Sequence, residues 1–241
     1  GTRRTSPADA EEICIPAGLF HRGLSPPGSH YPGASPMAEV YVSAYFIDRY
    51  PVTNERYQAC IDAGACPRIS GSTGAARLAD PTLARNPVLE IALESAVAFC
   101  AWDGGRRLPT EAEWEKAARG PAPRQVRYPW GDDDDCWAHI RCGETQWGDV
   151  SARPRSASYY GVERLAGGGY QWVSDIFDLE YYQRPESRVD PTGPETGLLR
   201  TRRGGLPADR IPGTHVVFRR RFEPGFTLAA TSARCARPAF P

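Results

Sequence analysis

The stretch RLPTEAEWEKAARG, residues 107–120, decides most about this chain. Thr110 and Glu113 have the spacing of a capping box. The threonine hydroxyl accepts from the Glu113 backbone N–H and the glutamate reaches back to the cap, so a helix begins there. Glu111, Glu113 and Glu115 lie toward its positive end, and Lys116 and Arg119 toward its negative end. Trp114, Ala117 and Ala118 form the stripe expected to be buried.

Working outward, VYVSAYFIDRY (40–50) puts Val40, Val42, Ala44 and Phe46 on one face at period two and predicts a strand. PVTNERYQACIDAG (51–64) predicts a short helix capped by Thr53 or Asn54, with Tyr57, Cys60 and Ile61 on one face and Gly64 as its stop. Residues 64–87 are rich in small residues and lack periodicity, which predicts a long surface loop. A second helix is expected over 94–103, with Val97, Phe99 and Cys100 turned inward, before Gly104-Gly105. Beyond residue 125 short aromatic strands and turns replace helical periodicity. Helices early and strands late, without βαβ alternation, predict an α+β fold.

The chain has 241 residues, and its 29 basic and 29 acidic side chains give zero formal charge. That balance argues against a nucleic-acid partner. A chain of this length buries roughly 70–75% of its unfolded surface, enough for one sizeable core. Its 24 glycines and 23 prolines predict a loop-rich molecule rather than a helical bundle. Lys116 is the one lysine. No window approaches 18 apolar residues, so no membrane insertion is expected. Residues 1–12 are polar and read as a flexible segment downstream of an export signal or linker, with the domain over 13–241.

Seven cysteines occur and none forms a C-x-x-C pair, which argues against zinc knuckles. CIDAGAC (Cys60, Cys66) and CWAHIRC (Cys136, Cys142) have spacings that a short disulfide loop can span. Two readings stand: export to an oxidising compartment, secreted or periplasmic, or buried reduced thiols in the cytosol.

IPAGLFHRG (15–23), YFIDRYPVTNERY (45–57), SAVAFCAWDGGRRLPTEAEWEKAARG (95–120), YPWG (128–131), YGVERLAGGGYQWVSD (160–175), TRRGG (201–205) and ARCARP (233–238) occur in that order. Together they resemble the formylglycine-generating enzyme, or sulfatase-modifying factor, family over about residues 13–238. The resemblance implies a single compact domain with an elaborated C-type-lectin-like core, low in regular structure. It also implies a Cys100–Cys235 disulfide, which leaves Cys14 unpaired if Cys60–Cys66 and Cys136–Cys142 form as well.

Active members of that family hold copper(I) on two thiolates shortly after the RGG motif and convert a substrate cysteine into formylglycine. Counting from Arg203-Gly204-Gly205, those positions fall near Asp209 and Thr214, and no cysteine lies between Gly143 and Arg234. Hydroxyl and carboxylate groups do not suit Cu(I), so copper is not expected. Some relatives in the wider superfamily use histidine-bound iron instead. The four histidines, His21, His30, His139 and His215, show no facial-triad spacing. His215 near Asp209 is either a weak metal position or an ordinary loop residue. The family's calcium positions match Arg164 and Gln171, which removes both anionic ligands, and Arg164 is a candidate to place its guanidinium where an ion would lie. A second, residual calcium site would rest on His139 with Glu144 or Asp149.

Asp132–Asp135 lacks EF-hand spacing and reads as a solvated turn. Arg200, Arg202, Arg203 and Arg219–Arg221 are candidates to line an anion or peptide groove, although strand alternation must split them between faces. Trp102, Trp114, Trp130 and Trp172 match core positions of the family. The expectation is a non-catalytic, exported module that binds a peptide or protein through the residual groove at Asp209, Arg210, Thr214, His215, Arg219 and Arg221. The alternative is an oxidoreductase of altered metal dependence, acting on a peptide or small molecule.

Overall fold

The computed structural model describes residues 3–5, 10–25, 31, 33–140, 148–152, 154–206, 214–225 and 230–240. Strands β1 (Arg3–Thr5) and β2 (Glu11–Ile15) open a first sheet. β3 (Gly18–Arg22) and β4 (Ala38–Val42) pair as an antiparallel ribbon. β5 (Tyr45–Asp48) returns to the first sheet, and the last strand of the chain, β10 (Ala236–Pro238), completes the order β1-β2-β5-β10. The third sheet holds β6 (Gly169–Ile176), β7 (Arg200–Gly205), β8 (Arg220–Phe222) and β9 (Thr231–Ser232) in the order β8-β7-β6-β9. Between them run α1 (Asn54–Asp62), α2 (Ser72–Ala79), α3 (Leu93–Trp102), α4 (Glu111–Arg119) and the single turn α5 (Cys136–His139).

The capping box forms as predicted: Glu113 N donates to Thr110 Oγ1 at 3.1 Å, and Thr110 N donates to Glu113 Oε2 at 2.7 Å. The rest of α4 departs from a surface helix, because every one of its nine residues is buried. Trp114, Ala117 and Ala118 pack into a core with Ile13, Val40, Tyr45, Leu165 and Val173. Its charged residues are satisfied inside the protein rather than by solvent. Lys116 Nζ donates to the carbonyls of Pro16, Gly18 and Val42 at 2.7–3.0 Å, and burial brings its pKa down to about 8. A second core gathers Tyr57, Phe99, Cys100 and Trp172 between α1, α3 and β6.

Several expectations are corrected. The strand over 40–50 is two strands in different sheets, broken where Ser43 N and Oγ donate to Asp190 at 2.6 and 2.8 Å. Ala44 is only half-buried. Residues 64–87 include α2, whose Gly74 N donates to Glu90 Oε2 at 2.8 Å in place of a local cap. Val97 faces out at 50% exposure while Phe99 and Cys100 are buried. The opening segment, expected to be flexible, supplies β1 and the start of β2. α1 is capped by Thr53, whose Oγ1 accepts from Arg56 N at 3.4 Å.

Cys60–Cys66 and Cys100–Cys235 are disulfides, and Cys14 is free. Cys136 is disulfide-bonded, and Cys142 lies outside the described residues. No helix among the described residues is long and apolar enough to cross a membrane. The result is one compact domain of mixed helices and sheets.

Candidate functional site

The buried acids of α4 organise the region beyond the RGG motif. Glu111 Oε1 accepts from Arg203 Nη1 at 3.0 Å and Arg219 Nε at 2.7 Å, and its Oε2 accepts from Arg219 Nη2 at 2.8 Å. Glu115 Oε2 accepts from Arg203 Nη2 at 2.9 Å. Burial opposes the charge on Glu111, but Arg219 and Arg203 outweigh it and hold the carboxyl below its ordinary range. Asp175, beside them, accepts from Glu111 N at 2.7 Å; burial first and the Glu111 charge second raise it to about 7.

These arginines in turn clamp two loops. Arg203 donates to Val216 O, and Arg219 Nη1 donates to Gly33 O at 2.5 Å. Gly204 gives the clamp its geometry: at φ +75°, a Cβ there would lie 2.8 Å from Leu165 O and 2.9 Å from Gly169 O. Arg119 Nη1 holds the carbonyls of His21 and Gly23 at 2.8 and 2.9 Å.

A cleft of about 150 Å³ opens between the clamped loops, lined by Leu24, Met37, Val126, Arg127, His215 and Val217 among others. The His215 ring stacks on Tyr31 with centroids 5.2 Å apart and meets the Tyr128 edge at 4.9 Å. Its Nδ1 is hydrogen-bonded to Tyr31 Oη, and its buried Nε2 has no hydrogen-bond partner among the described residues. Burial, with Arg127 adding to it, pushes the imidazole down to about 4, so the ring is neutral at pH 7. Tyr128 Oη donates to Asp134 at 2.9 Å; burial first and that bond second raise its pKa to about 12. The site thus offers one unsatisfied imidazole nitrogen in an aromatic, partly desolvated wall.

Of the predicted groove residues, His215, Thr214 and Arg219 fall in this region. Thr214 is buried and Arg219 is consumed by Glu111, so neither faces a ligand as a free group. Arg221 is exposed near Phe177, its guanidinium carbon 5.9 Å from the ring. Asp209 and Arg210 lie outside the described residues. Tyr31 carried no signal in the sequence; Tyr128 stood inside YPWG, a motif read there only as a family mark.

The ligand positions of the calcium resemblance are filled by arginine chemistry. Gln171 Oε1 accepts from Trp114 Nε1 at 2.9 Å and Arg234 Nε at 2.7 Å, while its Nε2 donates to Arg164 O at 2.7 Å. Arg164 donates to the carbonyls of Val150 and Asp149. Arg234 donates to those of Asp48, Arg49 and Glu163 at 2.7–3.2 Å. For the residual site, both ring nitrogens of His139 are engaged, by Arg155 O at 2.7 Å and Asp133 at 2.9 Å. Asp149 pairs with Arg85 at 2.8 Å, and Glu144 lies outside the described residues. The one described grouping with three close ligand atoms, Asp48, Asp103 and Cys235, is spent on Arg56, Arg106 and a disulfide. Asp132–Asp135 is exposed, as expected, and ties its own turn through Arg127, Tyr128 and the cap of α5. Trp114 and Trp172 are buried; Trp102 and Trp130 are half-buried.

A larger groove of about 850 Å³, lined by Leu19, Tyr41, Pro121 and Tyr159, is chemically plainer. Its cation, Lys116, is committed to three carbonyls.

Comparison with known proteins places this geometry. The chain is 29% identical to the formylglycine-generating enzyme of Thermomonospora curvata, over 84% of each chain. It is 30% identical to the serine/threonine-protein kinase pkn1 of Chlamydia caviae over 97% of its own length but only 39% of the kinase. The solved structure of PvdO from Pseudomonas aeruginosa superposes with a TM-score of 0.81 at 21% identity, covering 99% of this chain and 98% of PvdO. The model of the sulfatase-modifying factor enzyme 1-like domain matches residues 2–239. The protein therefore belongs to the sulfatase-modifying factor enzyme 1-like family.

Proposed function

We propose that this chain is a non-catalytic member of its family, working in an oxidising compartment, that binds a peptide or protein segment at the cleft around His215. The observation that carries the reading is the donor set. The two copper thiolates of the family resemblance would fall near Asp209 and Thr214, and no cysteine lies anywhere between Gly143 and Arg234. Thr214 is buried, and a hydroxyl is a poor ligand for a soft cation. The copper chemistry of the formylglycine-generating relatives therefore has no seat here, and no step of it is carried over.

The cleft itself supports recognition. Its loops are fixed from behind by buried ion pairs, so little conformational entropy is lost when a ligand docks. Leu24, Met37, Val126 and Val217 line the cleft beside His215. Tyr31 and Tyr128 hold the His215 ring rigidly from the side, and the His215 Nε2, without a partner among the described residues, is the directional polar contact assigned to the ligand. Disulfides at Cys60–Cys66 and Cys100–Cys235 support the oxidising compartment.

Selection of a displayed random-peptide library on the purified protein tests the reading. Enriched peptides are expected to lose binding to Met37→Trp, which narrows the cleft beside half-buried Met37. Enriched peptides that bind wild type and Met37→Trp equally would overturn the placement of the groove.

A further inference from the structure

The arginines of β7 and β8 fall into two populations. Arg203 and Arg219 are neutralised by Glu111 and Glu115. Arg200, Arg202 and Arg220 pair with no carboxylate of the described residues. Arg202 is fully buried and makes one hydrogen bond, from Nη1 to Thr231 Oγ1, which leaves Nε and Nη2 without partners. Rings box it in: its guanidinium carbon lies 3.3 Å from the Phe222 centroid, 4.8 Å from Trp172 and 5.6 Å from Tyr170. Arg220, its cross-strand partner, is half-buried and sits 4.8 Å from the same Tyr170 ring. Arg200 Nε is a further buried donor without a partner. Burial lowers Arg202 to about 9, with Tyr170 partly offsetting it and Arg220 lowering it further.

Two guanidinium groups over one ring, with no acid of the described residues between them, repel each other in a poorly solvated place. An anion would complete the arrangement. The free edge of Arg202 narrows the choice. Nε–H and Nη2–H form the side fork of a guanidinium, two parallel donors that match the two oxygens of one planar carboxylate. The rings of Phe222, Trp172 and Tyr170 around the guanidinium favour a flat ligand group over a tetrahedral phosphate.

We propose that the β7–β8 face is a carboxylate-binding site, in which Arg202 and Arg220 hold one carboxylate that enters at the β8 edge as half-buried Phe222 turns aside. This site does not depend on the peptide reading of the His215 cleft, because its ligand chemistry rests on different side chains.

Calorimetric and tryptophan-fluorescence titration with glutarate at low ionic strength tests it, with glutaramide and inorganic phosphate as comparison probes. Trp172, against Arg202, reports occupancy. Wild type is expected to bind glutarate saturably and glutaramide not at all. Arg220→Gln, at a half-buried position, is expected to weaken glutarate about tenfold, the scale of one charge-assisted hydrogen bond. Arg202→Gln should abolish binding, and Arg220→Gln keeps the test valid if that variant does not fold. Absence of a saturable response in wild type, or equal affinity in Arg220→Gln, overturns the site. Phosphate binding tighter than glutarate at matched ionic strength overturns the carboxylate assignment.

Discussion

Replacing Glu111 with glutamine removes one negative charge from the centre of the α4 network while keeping its volume. Arg219 then loses the one carboxylate that bonds to it among the described residues, and keeps only the carbonyls of Gly33 and Asp178. Arg203 retains Glu115 and Val216 O. Breaking a buried pair from one side leaves the other charge uncompensated, which costs about 3–5 kcal/mol. For a domain of this size that corresponds to a fall in Tm on the order of 10 °C. Urea and thermal unfolding followed by tryptophan fluorescence would measure it. The double variant Glu111→Gln/Arg219→Met should recover part of the loss, giving a coupling of about 1–3 kcal/mol between the two sites. A loss below about 1 kcal/mol, or strict additivity in the double variant, would refute the claim that this pair clamps the loops behind His215.

Other consequences can be measured independently. Breaking Cys100–Cys235 by Cys100→Ala/Cys235→Ala releases a loop closed over a sequence separation of 135. The loss should reach about 4–5 kcal/mol on the chain-entropy account, read by urea unfolding; a change under about 1 kcal/mol would contradict it. The His215 folded pKa lies below its unfolded value, so its contribution is present above the unfolded value of 6.5 and is lost as pH falls toward about 4. NMR titration of its ring should show no protonation at pH 6; a midpoint near 6.5 would mean that the ring is solvated. Asp175 runs the other way: with its folded pKa raised to about 7, its contribution is present at low pH and is lost as pH rises through that value. The stability of wild type relative to Asp175→Asn should therefore fall between about pH 4 and pH 7 and level off above that, and a flat difference would exclude the shift. Calcium titration should give no tight binding that Gln171→Ala removes, since the Gln171 oxygen already accepts from Trp114 and Arg234.

Features set by neighbouring residues were legible in the sequence. The α4 capping box needs only Thr110 and Glu113, and the α1 cap was narrowed to Thr53 or Asn54, of which Thr53 serves. Features set by distant partners were not. The strand break at Ser43 is made by Asp190, and the α2 terminus is served by Glu90, so neither has a local signature. Val97 is apolar but sits on an outward face of α3, where period alone cannot tell the core side. Strand alternation foretold that the β7 arginines would divide. Which of them would be neutralised depended on Glu111 and Glu115, 92 and 88 residues from Arg203. In the sequence those acids stand only as complements to the helix dipole; their burial comes from the packing of α4 against β3, β4, β6 and β7. His215 was singled out in the sequence as a groove candidate, whereas Tyr31, which is hydrogen-bonded to its ring, lies 184 residues away.

The most direct measurement incubates the protein with copper(I), oxygen and a cysteine-containing sulfatase-type peptide, and follows both bound metal and peptide mass. A chain without a cysteine between Gly143 and Arg234 should retain no stoichiometric copper and leave the peptide unchanged. About one copper per chain, with the peptide thiol converted to an aldehyde, would contradict the account.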